Sequence, residues 1–131
     1  MKFFFLLLPL LYTSVKGDIS PSFALIWNNT TSSKQIKKNW TDANAFCESL
    51  SLDHTKWRLP SIKELQTIID LNSYDPSVQN KFKNSTKSSL YWSSTESASN
   101  PKRAWSVDFY HGTTTYWSKT NLCYIKCVRN K

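Results

Sequence analysis

Histidine and carboxylates are scarce in this chain, and no apolar run is long. The two histidines, His54 and His111, stand far apart, without the clustered His, Cys or carboxylate spacing that a metal site needs. No G-x-S-x-G element occurs, and no nucleophile, base and orienting group form a recognisable set. These absences point away from an enzyme and away from any cofactor. No apolar stretch reaches the roughly 20 residues of a membrane helix, so none is expected to span a bilayer. Internal repeats and low-complexity tracts are also missing, and 131 residues suit one domain rather than two.

At the N-terminus, Lys2 precedes an apolar run from Phe3 to Tyr12. A polar stretch with Thr13, Ser14 and Lys16 follows, and Val15 with Gly17 loosely fits the small-residue rule for cleavage. Residues 1–17 are read as a signal peptide and residues 18–131 as a single exported domain, periplasmic or extracellular. No cysteine closes the run, which argues against a bacterial lipid anchor. Lysine and arginine number 17 against 9 acids, a formal charge of +8. Without Lys2 and Lys16 of the signal, 15 bases face 9 acids and the charge is +6. Such an excess suits sulfated or acidic polysaccharides and anionic surfaces as partners, besides serving solubility. Export argues against nucleic acid.

Phe23 to Trp27 is a short apolar run and predicts a first strand. Thr41 stands where a helix N-cap would, with Asp42 in the first turn. Ala43, Phe46, Cys47 and Leu50 follow at helical spacing, so this helix buries Cys47. In "WRLPSIKELQTIID", Trp57 to Asp70, Pro60 ends an extended entry and Ser61 with Glu64 makes a capping box. Ile62, Leu65 and Ile69 then form an apolar stripe, predicting a second helix that ends around Asp70 to Asn72. Nothing assembles chemistry around Arg58 or Lys63, and the stretch reads as scaffold. Residues 72–89 are polar and predict no dominant regular element.

The last third changes character. Leu90 to Thr95 reads as a strand, and in Ala104 to Tyr110 the residues Trp105, Val107 and Phe109 alternate with Ser106, Asp108 and Tyr110. That is the period of a half-buried strand. His111-Gly112 is a turn, Thr113 to Trp117 is rich in β-formers, and Cys123 to Arg129 predicts a last strand. The order gives an α+β fold, two helices on a sheet whose first and last strands come from the chain's ends. Export makes a disulfide among Cys47, Cys123 and Cys127 plausible. An extended Cys123–Cys127 segment separates its ends by roughly 13 Å, more than the about 7 Å that a disulfide tolerates. Cys47 then pairs with one of the other two.

The ordered motifs "WRLPSIKELQTIID", "YWSST", "AWSVDFYHG" and "CYIKCVRN" resemble the C-terminal domain of the Legionella collagen-like adhesin. "FALIW" and "TDANAFCESL" resemble its opening strand and first helix, so the likeness covers about residues 22 to 130. That family is similar in fold to C-type lectin-like domains and to the formylglycine-generating-enzyme group. The resemblance implies a twisted antiparallel sheet with two flanking helices and adjacent termini. It also implies a first helix tied to the final strand, hence a Cys47–Cys127 disulfide with Cys123 left over.

Lectins of this fold hold Ca²⁺ through Glu-Pro-Asn and W-N-D motifs. Here "WSVDF" stands where W-N-D would, and Glu-Pro-Asn is absent. Asp108 is a lone carboxylate against the about six to eight oxygens that Ca²⁺ takes. The formylglycine-generating relatives use a cysteine pair and metal chemistry, whereas two of these three cysteines are expected in a structural bridge.

Metal-free recognition of carbohydrate or sulfated polyanion remains. Trp57, Trp92 and Trp105 fall in the framework motifs and read as core. Tyr116 and Trp117 are neighbours on a predicted strand and point to opposite faces, so one is exposed. With Tyr110 and His111 at the turn, Lys102 and Arg103 before the adjoining strand, and Lys119 after it, they form a candidate ligand rim. The alternative is an envelope module with a structural role or a protein partner.

Overall fold

Leu25–Trp27 (β1) and Val128–Asn130 (β5) pair antiparallel, with Leu25 opposite Asn130 and Trp27 opposite Val128. The two ends of the domain therefore close on each other, as the order of elements predicts. The structure is a computed structural model that describes residues 25–29, 35–51 and 54–131. The expected signal peptide, and Phe23 and Ala24 of the first predicted strand, lie outside the described residues.

A second sheet carries the centre of the fold. Leu90–Glu96 (β2), Arg103–Asp108 (β3) and Thr113–Ser118 (β4) run antiparallel in the order β2-β3-β4. The class is α+β, as expected, but with two sheets where one was predicted. The cause lies in Cys123 to Arg129, which is not one strand. Cys123 pairs with Lys38, Tyr124 pairs in parallel with Tyr91, and only Val128 and Arg129 enter β5. Serving three neighbours in turn, the segment closes the outer edge of β2, where Trp92 donates to the Tyr124 carbonyl at 3.1 Å. Arg58 closes β5 in the same way, exchanging main-chain bonds of 2.9 and 2.8 Å with Val128.

The first helix, Trp40–Ser49 (α1), starts earlier than predicted. Its cap is Asn39, not Thr41: the Asp42 amide donates to Asn39 Oδ1 at 2.9 Å. Asparagine is the better cap, and the Trp40 amide is held by the Lys119 carbonyl at 3.0 Å, which fixes the start. Ala43 and Cys47 are buried as expected. The second helix, Ile62–Gln66 (α2), has the predicted capping box, with the Ser61 amide donating to Glu64 Oε1 at 2.8 Å and the Glu64 amide to Ser61 Oγ at 3.1 Å. It stops at Gln66, short of Asp70. Gln79 intercepts it: its side chain donates to the Thr67 carbonyl at 2.8 Å and its amide to that of Ile68 at 2.9 Å, so Ile69 bridges to Val78 instead. Between residues 72 and 89 the one regular turn among the described residues is a 3-10 segment, Asn80–Ser85.

β3 is not half-buried. Ala104, Ser106 and Val107 are all inaccessible, because a core lies on each face of the sheet. On one face Ala43, Cys47, Leu59, Trp92, Ala104, Ile125 and Cys127 pack beneath α1. On the other Leu65, Ile68, Val78, Phe82, Tyr91, Val107 and Phe109 pack beneath α2. Of the tryptophans read as core, Trp92 is fully buried, whereas Trp57 and Trp105 are half-buried at the margins. A disulfide joins Cys47 of α1 to Cys127, with Cα atoms 5.5 Å apart and a sequence separation of 80. That is the predicted pair. Closing such a loop contributes about 4.5 kcal/mol on the chain-entropy account, a large share of the usual about 5–15 kcal/mol. Cys123 is free and buried, and burial pushes its thiol up to about 12, so it stays protonated and inert.

Candidate functional site

β4 lies beyond both cores, and this position creates the first cleft. Tyr116 and Trp117 project from opposite faces, yet both are open to solvent, at 46% and 43%, because neither buried core includes a residue of the edge strand. The register sets Trp105 opposite Tyr116, with their rings edge-on at 5.3 Å. Arg103 stands diagonally from Tyr116 and lays its guanidinium 5.2 Å over that ring, a contact that holds the cation in place without neutralising it. Arg103, Thr115, Tyr116, Trp117, Ser118 and Asn121 line an open cleft of about 450 Å³ along this edge. Its one charged side chain is basic.

The structure divides the residues of the predicted rim. Arg103, Tyr116 and Trp117 come together, with Lys102 exposed next to Arg103. Lys119 is near in sequence but committed: its ammonium meets Glu96 at 2.8 Å and sits 4.2 Å over Trp40, tying β4 to β2 and α1. Tyr110 and His111 are at the far end of the hairpin, where Asp108 pairs with Thr113 while Arg103 pairs with Ser118. At about 3.3 Å per residue the two ends are roughly 17 Å apart. There Asp108 organises the turn, accepting from the Tyr110 amide at 2.9 Å and facing His111 Nδ1 at 3.4 Å. Gly112 takes φ +71° in this turn, and a Cβ on it would come within 3.0 Å of Leu71 and 3.1 Å of Ile69.

A second cleft was not anticipated. His54, Thr55, Lys56, Arg58, Arg129, Asn130 and Lys131 line a hollow of about 440 Å³. The Arg58–Val128 bridge assembles it by bringing the segment before α2 against the last residues. Arg129 is held 5.5 Å over the Trp57 ring. Arg58 makes a two-pronged ion pair with Glu64, at 2.6 and 2.9 Å, and donates to Asn130 Oδ1 at 3.1 Å. The pair holds the Glu64 carboxyl below the usual carboxylate range and raises Arg58. Since Glu64 compensates Arg58, the positive character comes from Lys56, Arg129 and Lys131. The cations were visible in the sequence; their meeting was not.

Inside the fold, Lys126 is almost completely buried. Its ammonium donates to the Ser85 carbonyl at 2.9 Å and lies 5.4 and 5.7 Å from the Tyr91 and Phe82 rings. The Tyr91 hydroxyl bonds to Gln35 and accepts from the Lys87 amide. Burial without a carboxylate pulls Lys126 down to about 7. No group of three or more His, Cys, Asp or Glu able to hold a metal occurs among the described residues. No helix among them is long and apolar enough to cross a membrane.

The fold is a disulfide-tied α+β domain with two open clefts at its margins. The chain matches the Lcl C-terminal domain family over residues 21–129 and belongs to that family. The match agrees with the resemblance to the terminal module of a collagen-like adhesin. No curated protein matches the chain.

Proposed function

We propose that this domain is an exported, non-catalytic adhesin-like module that binds acidic or sulfated carbohydrate without calcium. The observation that carries this reading is that every charged side chain lining either cleft is basic. Calcium-dependent sugar binding requires several carboxylates at the ligand, and these clefts have none in their linings. In the edge cleft, the Tyr116 and Trp117 rings receive sugar faces while Arg103, flanked by Lys102, meets sulfate or carboxylate. The second cleft adds Lys56, Arg129 and Lys131 for further acidic groups along a chain. A glycan array of the oxidised protein, with calcium and with chelator, tests this. Sulfated glycans give signal in both conditions, and R103A/Y116A/W117A loses it. Signal that appears only with calcium, or an unchanged signal from the triple variant, overturns the reading.

A second reading, a protein-interaction module, is favoured by one observation. β4 is the outer strand of its sheet, and its main chain has no strand partner on that side among the described residues.

A further inference from the structure

The other edges around the three-stranded sheet and β5 are covered from within the chain, by Tyr124 on β2 and by Arg58 on β5. Among the described residues β4 (Thr113–Ser118) has no strand on its outer side, and only its last residue is engaged there, the Ser118 carbonyl accepting from the Asn121 amide at 2.9 Å. Proteins ordinarily protect such an edge with lysine, proline, a bulge or an inward charge. Thr-Thr-Thr-Tyr-Trp-Ser has no charged residue and no proline, and it pairs with β3 residue for residue with no bulge. The Lys119 amide donates inward to Lys102 at 2.9 Å. Counting back in twos, Trp117, Thr115 and Thr113 face β3, and Ser118, Tyr116 and Thr114 turn their amides and carbonyls outward.

We propose that this edge pairs antiparallel with β4 of a second copy of the chain, about a two-fold axis at Tyr116. The register follows from symmetry. An axis perpendicular to the sheet keeps each side chain on its own face, so like-facing residues must meet. Tyr116 then meets its own counterpart, Thr114 meets Ser118, and Thr115 meets Trp117. These are aromatic–aromatic, hydroxyl–hydroxyl and aromatic–β-branched pairs, the combinations that stabilise cross-strand contact. No charged side chain stands on the strand, so two basic molecules meet here without like charges opposed along the seam. The open main-chain edge is covered while the Tyr116 and Trp117 side chains stay on the two faces of the joined sheet, and the interface is isologous and closes at two copies.

The pairing goes beyond the glycan reading and stands without it. Resting on that reading is one consequence: two Tyr116 rings lie side by side on one face with an Arg103 on each flank, a sugar platform shared by both copies.

Sedimentation equilibrium of the oxidised protein over a wide concentration series tests the pairing, and glycan binding is read separately. The wild type shows a reversible rise to twice the monomer mass. Added salt leaves the rise intact or strengthens it, because the two copies carry like net charge. Thr114→Pro removes an outward amide, and Thr114→Lys sets a cation against Ser118 of the other copy. Either one, shown folded by circular dichroism, stays monomeric throughout. A wild type that is monomeric at every concentration overturns the proposal. So does a dimer that persists in whichever of the two variants is folded. A dimer without glycan signal would refute the glycan reading alone.

Discussion

The two clefts share an acid-free lining but are built in different ways. The edge cleft is local: Arg103, Tyr116 and Trp117 belong to one hairpin, and the β3–β4 register alone brings them together. The C-terminal cleft is non-local: Arg58 and Asn130, 72 residues apart, meet in it through the Arg58–Val128 bridge. A ligand surface held by one hairpin survives loosening of the rest of the fold. One assembled from both ends of the chain depends on what ties those ends together. The difference predicts which perturbations silence which cleft.

The largest effect is expected from removing the tie. C47A/C127A should lose about 4.5 kcal/mol of unfolding free energy, read by urea titration. The C-terminal cleft should lose binding first, because Arg129 stands only two residues after Cys127. A loss under about 1 kcal/mol, or equal loss of binding at both clefts, breaks the comparison.

Lys126 comes next, and its effect has the opposite sign. The folded value of about 7 lies below the ordinary 10.5. Between those values the unfolded chain holds a proton that the folded chain lacks, so stability rises with pH across that window and the penalty is complete below about 7. Lys126→Met keeps the packing against Phe82 and Tyr91 and removes the buried charge. It should add on the order of 2 kcal/mol at neutral pH, after loss of the Ser85 bond and the ring contacts. It should also flatten the melting temperature between pH 7 and 10. A destabilised variant with an unchanged pH slope contradicts this account.

Glu64→Gln separates stability from binding. It removes the carboxylate that compensates Arg58 and should cost about 1 kcal/mol, discounted because the Arg58 side chain is 40% exposed. The pair's contribution is present above the ordinary glutamate range and fades as pH falls through the depressed value, so the variant should lose part of the acid-side slope. With Arg58 uncompensated, affinity for dextran sulfate at the C-terminal cleft should rise, and the edge cleft should not respond. Equal change at both clefts, or none, removes the distinction. The smallest effect is none: calcium or chelator should leave the melting temperature unchanged, and a calcium-dependent rise argues for a bound ion.

What the sequence made legible divides along the same line. The Ser61–Glu64 box, the buried face of α1 and the hairpin aromatics are short-range patterns, and all three appear in the fold. The end of α2 depends on Gln79, and the breaking of Cys123–Arg129 into separate pairings depends on Lys38, Tyr91 and Arg58. Local propensity carries no record of such partners. The alternation in β3 predicted one exposed face, yet a second core covers it. Arg58 read as scaffold, and its ion pair with Glu64 is scaffold. Only the meeting with Arg129 and Lys131 places it in a cleft. Tyr110 and His111 were grouped with Tyr116 because the turn is close in sequence, and the length of the hairpin separates them.

The most direct test of the central claim is calorimetric titration of the oxidised protein with dextran sulfate in the presence of chelator. Uncharged dextran serves as reference, and R103A/Y116A/W117A and K56E/R129E/K131E are compared with the wild type. The account predicts binding to dextran sulfate alone, weakened by salt, with each variant losing about tenfold or more, roughly 1.4 kcal/mol. Equal binding of both polymers, or wild-type affinity in both variants, would contradict it.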